Sequence, residues 1–147
     1  MRDDVAQAIS ELRKVVADLS LQKQAQFLGS AADYYLQMGD KDATEKVVSE
    51  GLKVADKILE KDNNADDPNK ALKAWWPSVD AYRRFVQVET KISQRSAAKL
   101  VREIKDPEIR TVESIMVSRT LLGLPLKRVT IVEKTKHGNS MMMMDGN

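Results

Sequence analysis

Between Val5 and Leu122 apolar side chains recur at steps of three and four, the spacing that lines one face of an α-helix. Val5, Ile9, Leu12, Val16 and Leu19 form the first stripe and predict a helix over about Asp3–Leu19, with Asp3 and Asp4 suited to its positive end. Ser20 is placed to cap a second helix, Leu21–Met38, whose inward positions are Phe27, Leu28, Ala31, Tyr35 and Met38. Gly39 can adopt the left-handed conformation that ends it. Asp40 or Asp42 then opens a third helix running to about Lys61, with Val47, Gly51, Val54, Ala55 and Ile58 on one face. "KDNNADDPNK" is a polar loop, and Asp67-Pro68 is a helix-start signal for a short "NKALKAWW" helix. That helix stops at Trp76, because Pro77 disfavours helical backbone in the residue before it.

Pro77 itself suits the first turn of a helix to about Ile92, carrying Val79, Tyr82, Phe85, Val86 and Glu89 along one side. Ser93 or Ser96 caps the next, with Ala97, Leu100, Val101 and Ile104. Asp106-Pro107 repeats the start signal for a last helix ending at Gly123. The expectation is therefore an all-α domain of about seven helices over residues 1–123. Residues 124–147 differ. Val129, Thr130, Ile131 and Val132 favour extended chain, but one strand without a partner makes no sheet. "HGNSMMMMDGN" has no packing logic and is expected to be mobile, so residues 124–147 are read as a tail that is either extended along the bundle or disordered.

The stretch from Ala25 to Ile58 resembles a tetratricopeptide repeat (TPR), a pair of antiparallel helices with small residues where they touch. Leu28 stands at a large apolar position, Ala31 and Ala32 at the next contacts, Gly39-Asp40 at the turn, and Thr44, Val48 and Gly51 at the small, large and small sites of the second helix. The match departs at Thr44, where the family has alanine, and at Asp56, near which it has proline. Trp75, Val79 and Tyr82 start a second unit in which Lys91 and Arg95 fall on positions the family packs. That unit begins 47 residues after the first, against a family period of about 34. "DPEIRTVESIMVSRTLLG" is also similar to segments of uncharacterised bacterial helical-repeat proteins. The resemblance implies antiparallel hairpins stacked as a short solenoid, with Ala32 and Gly51 letting the second and third helices lie close. It also implies that the first helix is the second half of a preceding unit or a polar cap, and that the natural array extends N-terminally.

Composition narrows the chemistry. With no cysteine in the chain, disulfides, thiolate metal sites and thiol nucleophiles are excluded. Residues 1–74 carry 11 basic against 14 acidic side chains and residues 75–147 carry 13 against 8, so the halves hold −3 and +5. The acidic, amphipathic start is not a signal peptide, and a cytoplasmic location is expected unless an upstream segment directs export. No phosphate loop or catalytic motif is present, and the lone His137 has no carboxylate or serine held beside it, so no catalytic residue, cofactor or metal site is assigned. His137 with Met141–Met144 suggests soft-metal capture, which would make this an extracytoplasmic metal-handling protein. Consecutive methionines on an extended chain, however, converge poorly on one ion.

Arg83, Arg84, Lys91, Arg95, Lys99 and Arg102 predict a basic exposed surface, which is either a plain solvated face or one that meets an acidic peptide, RNA or anionic lipid. Without interleaved aromatics it is a poor nucleic-acid site. For the adjacent Trp75 and Trp76, two readings stand: both rings largely buried at a bent junction between units, or one anchoring the core and the other partly exposed, as at protein interfaces. The leading expectation is a non-enzymatic scaffold binding a protein or peptide in a groove lined by Gln26, Ser30, Asp33, Gln37, Trp76, Tyr82, Arg83 and Gln87. The alternative is a structural protein that buries its exposed apolar surface against copies of itself.

Overall fold

The computed structural model describes residues 2–66, 73, 76–123, 128–132 and 141–145, with residues 2–3 and the last two segments described by their backbone alone. Six helices lie among them: α1 (Arg2–Val16), α2 (Leu21–Gln37), α3 (Lys41–Asn64), α4 (Pro77–Ile92), α5 (Gln94–Arg102) and α6 (Pro107–Leu121). The expected seventh helix over 69–76, and its Asp67-Pro68 start, fall outside the described residues apart from Lys73 and Trp76.

Short polar side chains set the helix starts. The Ser20 hydroxyl accepts from the Lys23 amide, Asp40 from Ala43, Ser93 from Ser96, and Asp106 from both Glu108 and Ile109. The choices left open in the sequence thus fall to Asp40 and Ser93. Gly39 at φ 78° turns the chain after α2. The start of α4 is different: Trp76 offers no side-chain cap, and Asp62 near the end of α3 accepts the Ser78 amide at 3.0 Å instead. The two helices are therefore tied end to end across the intervening segment.

Helices α2 and α3 are antiparallel. Tyr35 near the end of α2 shares a cavity with Ala43 and Val47 near the start of α3, and Ala25 shares another with Ile58. Helix α4 lies against both, parallel to α2 and antiparallel to α3. Its Arg84 sits over Gly29 and its Lys91 meets Asp33, while Phe85 sits on Gly51 and Tyr82 reaches Asp56. Half of α4 is buried, with Tyr82 at 1% exposure and Phe85 at 0%, so this helix is the centre of the core. Helix α5 packs on α4, and α6 packs on α5 and α4.

Three expectations change here. Gly51 does not serve the approach of α2 to α3; a Cβ at this position would overlap the Phe85 ring, so its small size admits α4. The stripe on α1 does not face inward as a whole. Only Ile9 is buried, Val16 is half-buried, and Val5, Leu12 and Leu19 are exposed. The tail is not a lone strand: β1 (Arg128–Val132) pairs antiparallel with β2 (Met141–Asp145), Thr130 opposite Met143, and β1 touches α6. A second extended segment supplies the ladder partner that one strand lacks.

Candidate functional site

The residues proposed from the sequence as a groove do not form one surface. Gln26, Ser30 and Gln37 on α2 and Gln87 on α4 are exposed, with Asp33 half-buried among them. Asp33 bridges to Lys91 at 3.1 Å, an ion pair linking the two parallel helices across this polar face. Tyr82 and Trp76 are corrections. Tyr82 is buried and its phenol O–H donates to the Asp56 carboxylate, so burial and that bond push its ionisation far above the usual range. Trp76 is 7% exposed, with Lys73 Nζ 5.3 Å above its ring. Both side chains are spent on the core. Trp75 lies outside the described residues.

Arg83 is a structural residue rather than a groove residue. Its Nε donates to the Glu113 carboxylate at 3.1 Å, joining α4 to α6, and Glu113 is 1% exposed. Burial raises the affinity of Glu113 for its proton, and the Arg83 guanidinium opposes that rise. Nor is the predicted basic surface one face. Arg84 lies across Gly29 and reaches Asp80, Lys91 is paired with Asp33, and Arg95 and Lys99 belong to a separate cleft against α3.

Lys73 reaches both Asp106 and Glu108 at the start of α6, at 3.3 and 3.4 Å. Burial alone would lower its proton affinity, but the two carboxylates outweigh it and the ammonium is held above its usual range. This contact ties Lys73 to the start of α6.

The surface that sequence reasoning missed is on α1. Val5, Ala8, Leu12, Val15 and Leu19 are all exposed, with Leu12 at 50% and Val15 at 62%. Because α1 ends at Val16, the spacing of three and four places Val5, Ala8, Leu12 and Val15 on one stripe, about 15 Å long at the helical rise per residue, with Leu19 just beyond the helix end. Asp4 and Glu11, seven residues apart and both exposed, lie along one edge of the stripe, Glu11 in contact with Lys14 at 3.3 Å; the exposed Asp18 follows beyond the helix end. The other edge is Ile9 and Val16, turned toward the body. Arg13 on that side pairs with Glu50 of α3 at 3.1 Å and fixes how α1 is rolled. The signal was present as Val15, which does not belong to the stripe read from the sequence but completes the exposed one.

Among the described residues, no group of three or more His, Asp or Glu side chains is placed to hold a metal ion, and no helix is long and apolar enough to cross a membrane. His137 lies outside the described residues, and Met141–Met144 are described only as strand backbone. Comparison with protein-family models, with curated proteins and with solved structures finds no match to this chain.

Proposed function

We propose that this protein is a non-enzymatic interaction module whose docking face is the apolar stripe of α1, and that its partner is an amphipathic helix with basic residues beside its apolar face. The observation that carries this reading is the exposure of Leu12 and Val15 on α1 beside the acidic Asp4 and Glu11. Exposed apolar side chains in a continuous stripe mark interaction surfaces, and helix-in-groove recognition reads residues at this spacing. These two carboxylates select the partner. A second copy of α1 laid antiparallel would bring acid against acid, whereas lysine or arginine beside the incoming stripe would complement it. The α2–α4 face with Gln26, Ser30, Gln37 and Gln87 is polar and lacks an aromatic anchor, so it serves at most as a rim. The TPR-like stacking read from the sequence is part of the same proposal, supported by the antiparallel α2–α3 pair and by α4 lying parallel to α2.

The test uses two helical peptides of about 21 residues with leucines at heptad spacing, one flanked by lysine and one by glutamate. Fluorescence anisotropy should give saturable binding of the lysine peptide only, weakened about tenfold or more by Leu12→Glu and by raising salt. Equal binding of both peptides, or no effect of Leu12→Glu, contradicts the proposal. Concentration-dependent dimers abolished by Leu12→Glu would instead make the occupant a second copy.

A further inference from the structure

A cleft of about 490 Å³ opens between α3, α4 and α5, on the side of α4 away from Arg84. Its size falls in the range of small-molecule pockets. Glu89 of α4 lines it and is only 5% exposed, yet no side chain among the described residues hydrogen-bonds or ion-pairs with its carboxyl group. The carboxyl oxygens of Glu89 are not sealed in the core but open onto the cleft, so a cationic group entering the cleft can reach them.

The remaining charged groups facing Glu89 are Lys41 and Glu45 on α3, Arg95 and Lys99 on α5, and Glu103 just after α5. Lys41 is already in contact with Glu45 at 4.0 Å. Burial raises the proton affinity of Glu89, the carboxylates of Glu45 and Glu103 raise it further, and Lys41 and Lys99 oppose this. Val48, Leu52 and Leu100 supply an apolar wall.

We propose that the cleft binds a small aliphatic zwitterion, its ammonium group seated on Glu89 and its carboxylate held at the mouth by Lys41 and Lys99. An ammonium satisfies the buried carboxylate in a way the flanking lysines do not. A simple amine would be repelled by those lysines, so the ligand must carry a negative group as well. The intervening methylenes lie along Val48, Leu52 and Leu100. Binding requires ionised Glu89, so affinity falls as pH drops through its raised titration range.

The probes are 6-aminohexanoate, hexylamine and hexanoate, titrated into the full chain by amide NMR up to about 10 mM, a range suited to ligands of about nine non-hydrogen atoms. The expected result is saturable shifts confined to α3, α4 and α5 with 6-aminohexanoate, at least tenfold weaker effects with the other two, and loss of binding in Glu89→Gln. In Lys41→Gln/Lys99→Gln the advantage over hexylamine should disappear while the fold is untouched. Absence of saturable shifts with 6-aminohexanoate, equal binding of hexanoate, or unchanged binding in Glu89→Gln would overturn the proposal.

Discussion

Two glycines that face α4, Gly29 on α2 and Gly51 on α3, make opposite demands at the scale of single residues. A methyl group at Gly51 would overlap the rigid, fully buried Phe85 ring, whereas at Gly29 it would meet only the Arg84 stem, whose end reaches solvent. Alanine gains about 1 kcal/mol over glycine in a helix, and overpacking a core costs about 1–3 kcal/mol. Gly51→Ala is therefore expected to lower stability by up to about 2 kcal/mol, and Gly29→Ala to leave it near neutral, in urea denaturation. Relief of the Gly51→Ala loss by Phe85→Leu would place the clash at that ring.

Glu89 makes the second residue-scale prediction. Its folded proton affinity is raised, so between the ordinary carboxyl value of 4.5 and its raised value the native state binds more protons than the unfolded chain. Stability then falls as pH rises through that window. Glu89→Gln should remove this contribution, and its melting temperature should gain on the wild type progressively above about pH 4.5. A constant difference between pH 4 and pH 8 would contradict it. The glycine at 51 was legible in the sequence as a close approach, but not which helix approaches, because a small residue states that space is needed and not by whom. Glu89 was read correctly as lying on the inward side of its helix; its lack of a partner is a property of three helices at once.

The capping residues carry most of what the sequence revealed at the scale of helices. Ser20, Asp40, Ser93 and Asp106 bond to their own helix within three residues, so their effect is local and readable. The roll of a helix about its axis is not local. On α1 the apolar side chains cover more than one face, and the Arg13–Glu50 pair and Ile9 decide which edge turns inward. The Arg83–Glu113 pair is similarly invisible in sequence, spanning 30 positions from α4 to α6. Removing one partner leaves a buried charge, so Arg83→Met is expected to cost about 3 kcal/mol, the lower end for buried pairs because Arg83 is partly exposed. The double change Arg83→Met/Glu113→Leu should recover most of that loss in equilibrium denaturation. An additive result would mean that the two side chains do not stabilise each other.

Across the whole molecule the core is centred on α4 and weakens outward. Helix α4 is enclosed by α2, α3, α5 and α6, while α1 rests on the body through Ile9, Val16 and the Arg13–Glu50 pair. Elements with few buried contacts open at low free energy, and those are the elements a partner stabilises most. The hairpin order and all-α character of the body follow from helical periodicity and short turns, and were legible on that account. The β1–β2 ladder was not, because pairing across residues 133–140 leaves no periodic signal in a run of methionines. The most direct measurement of the docking claim is amide hydrogen exchange of the full chain, with and without the lysine-flanked helical peptide. The account predicts fast exchange over α1 in the free protein, slow exchange over α4, and a slowing on addition of peptide centred on Leu12 and Val15. Exchange over α1 as slow as over α4 before peptide is added, or slowing confined to α2 and α4, would contradict it.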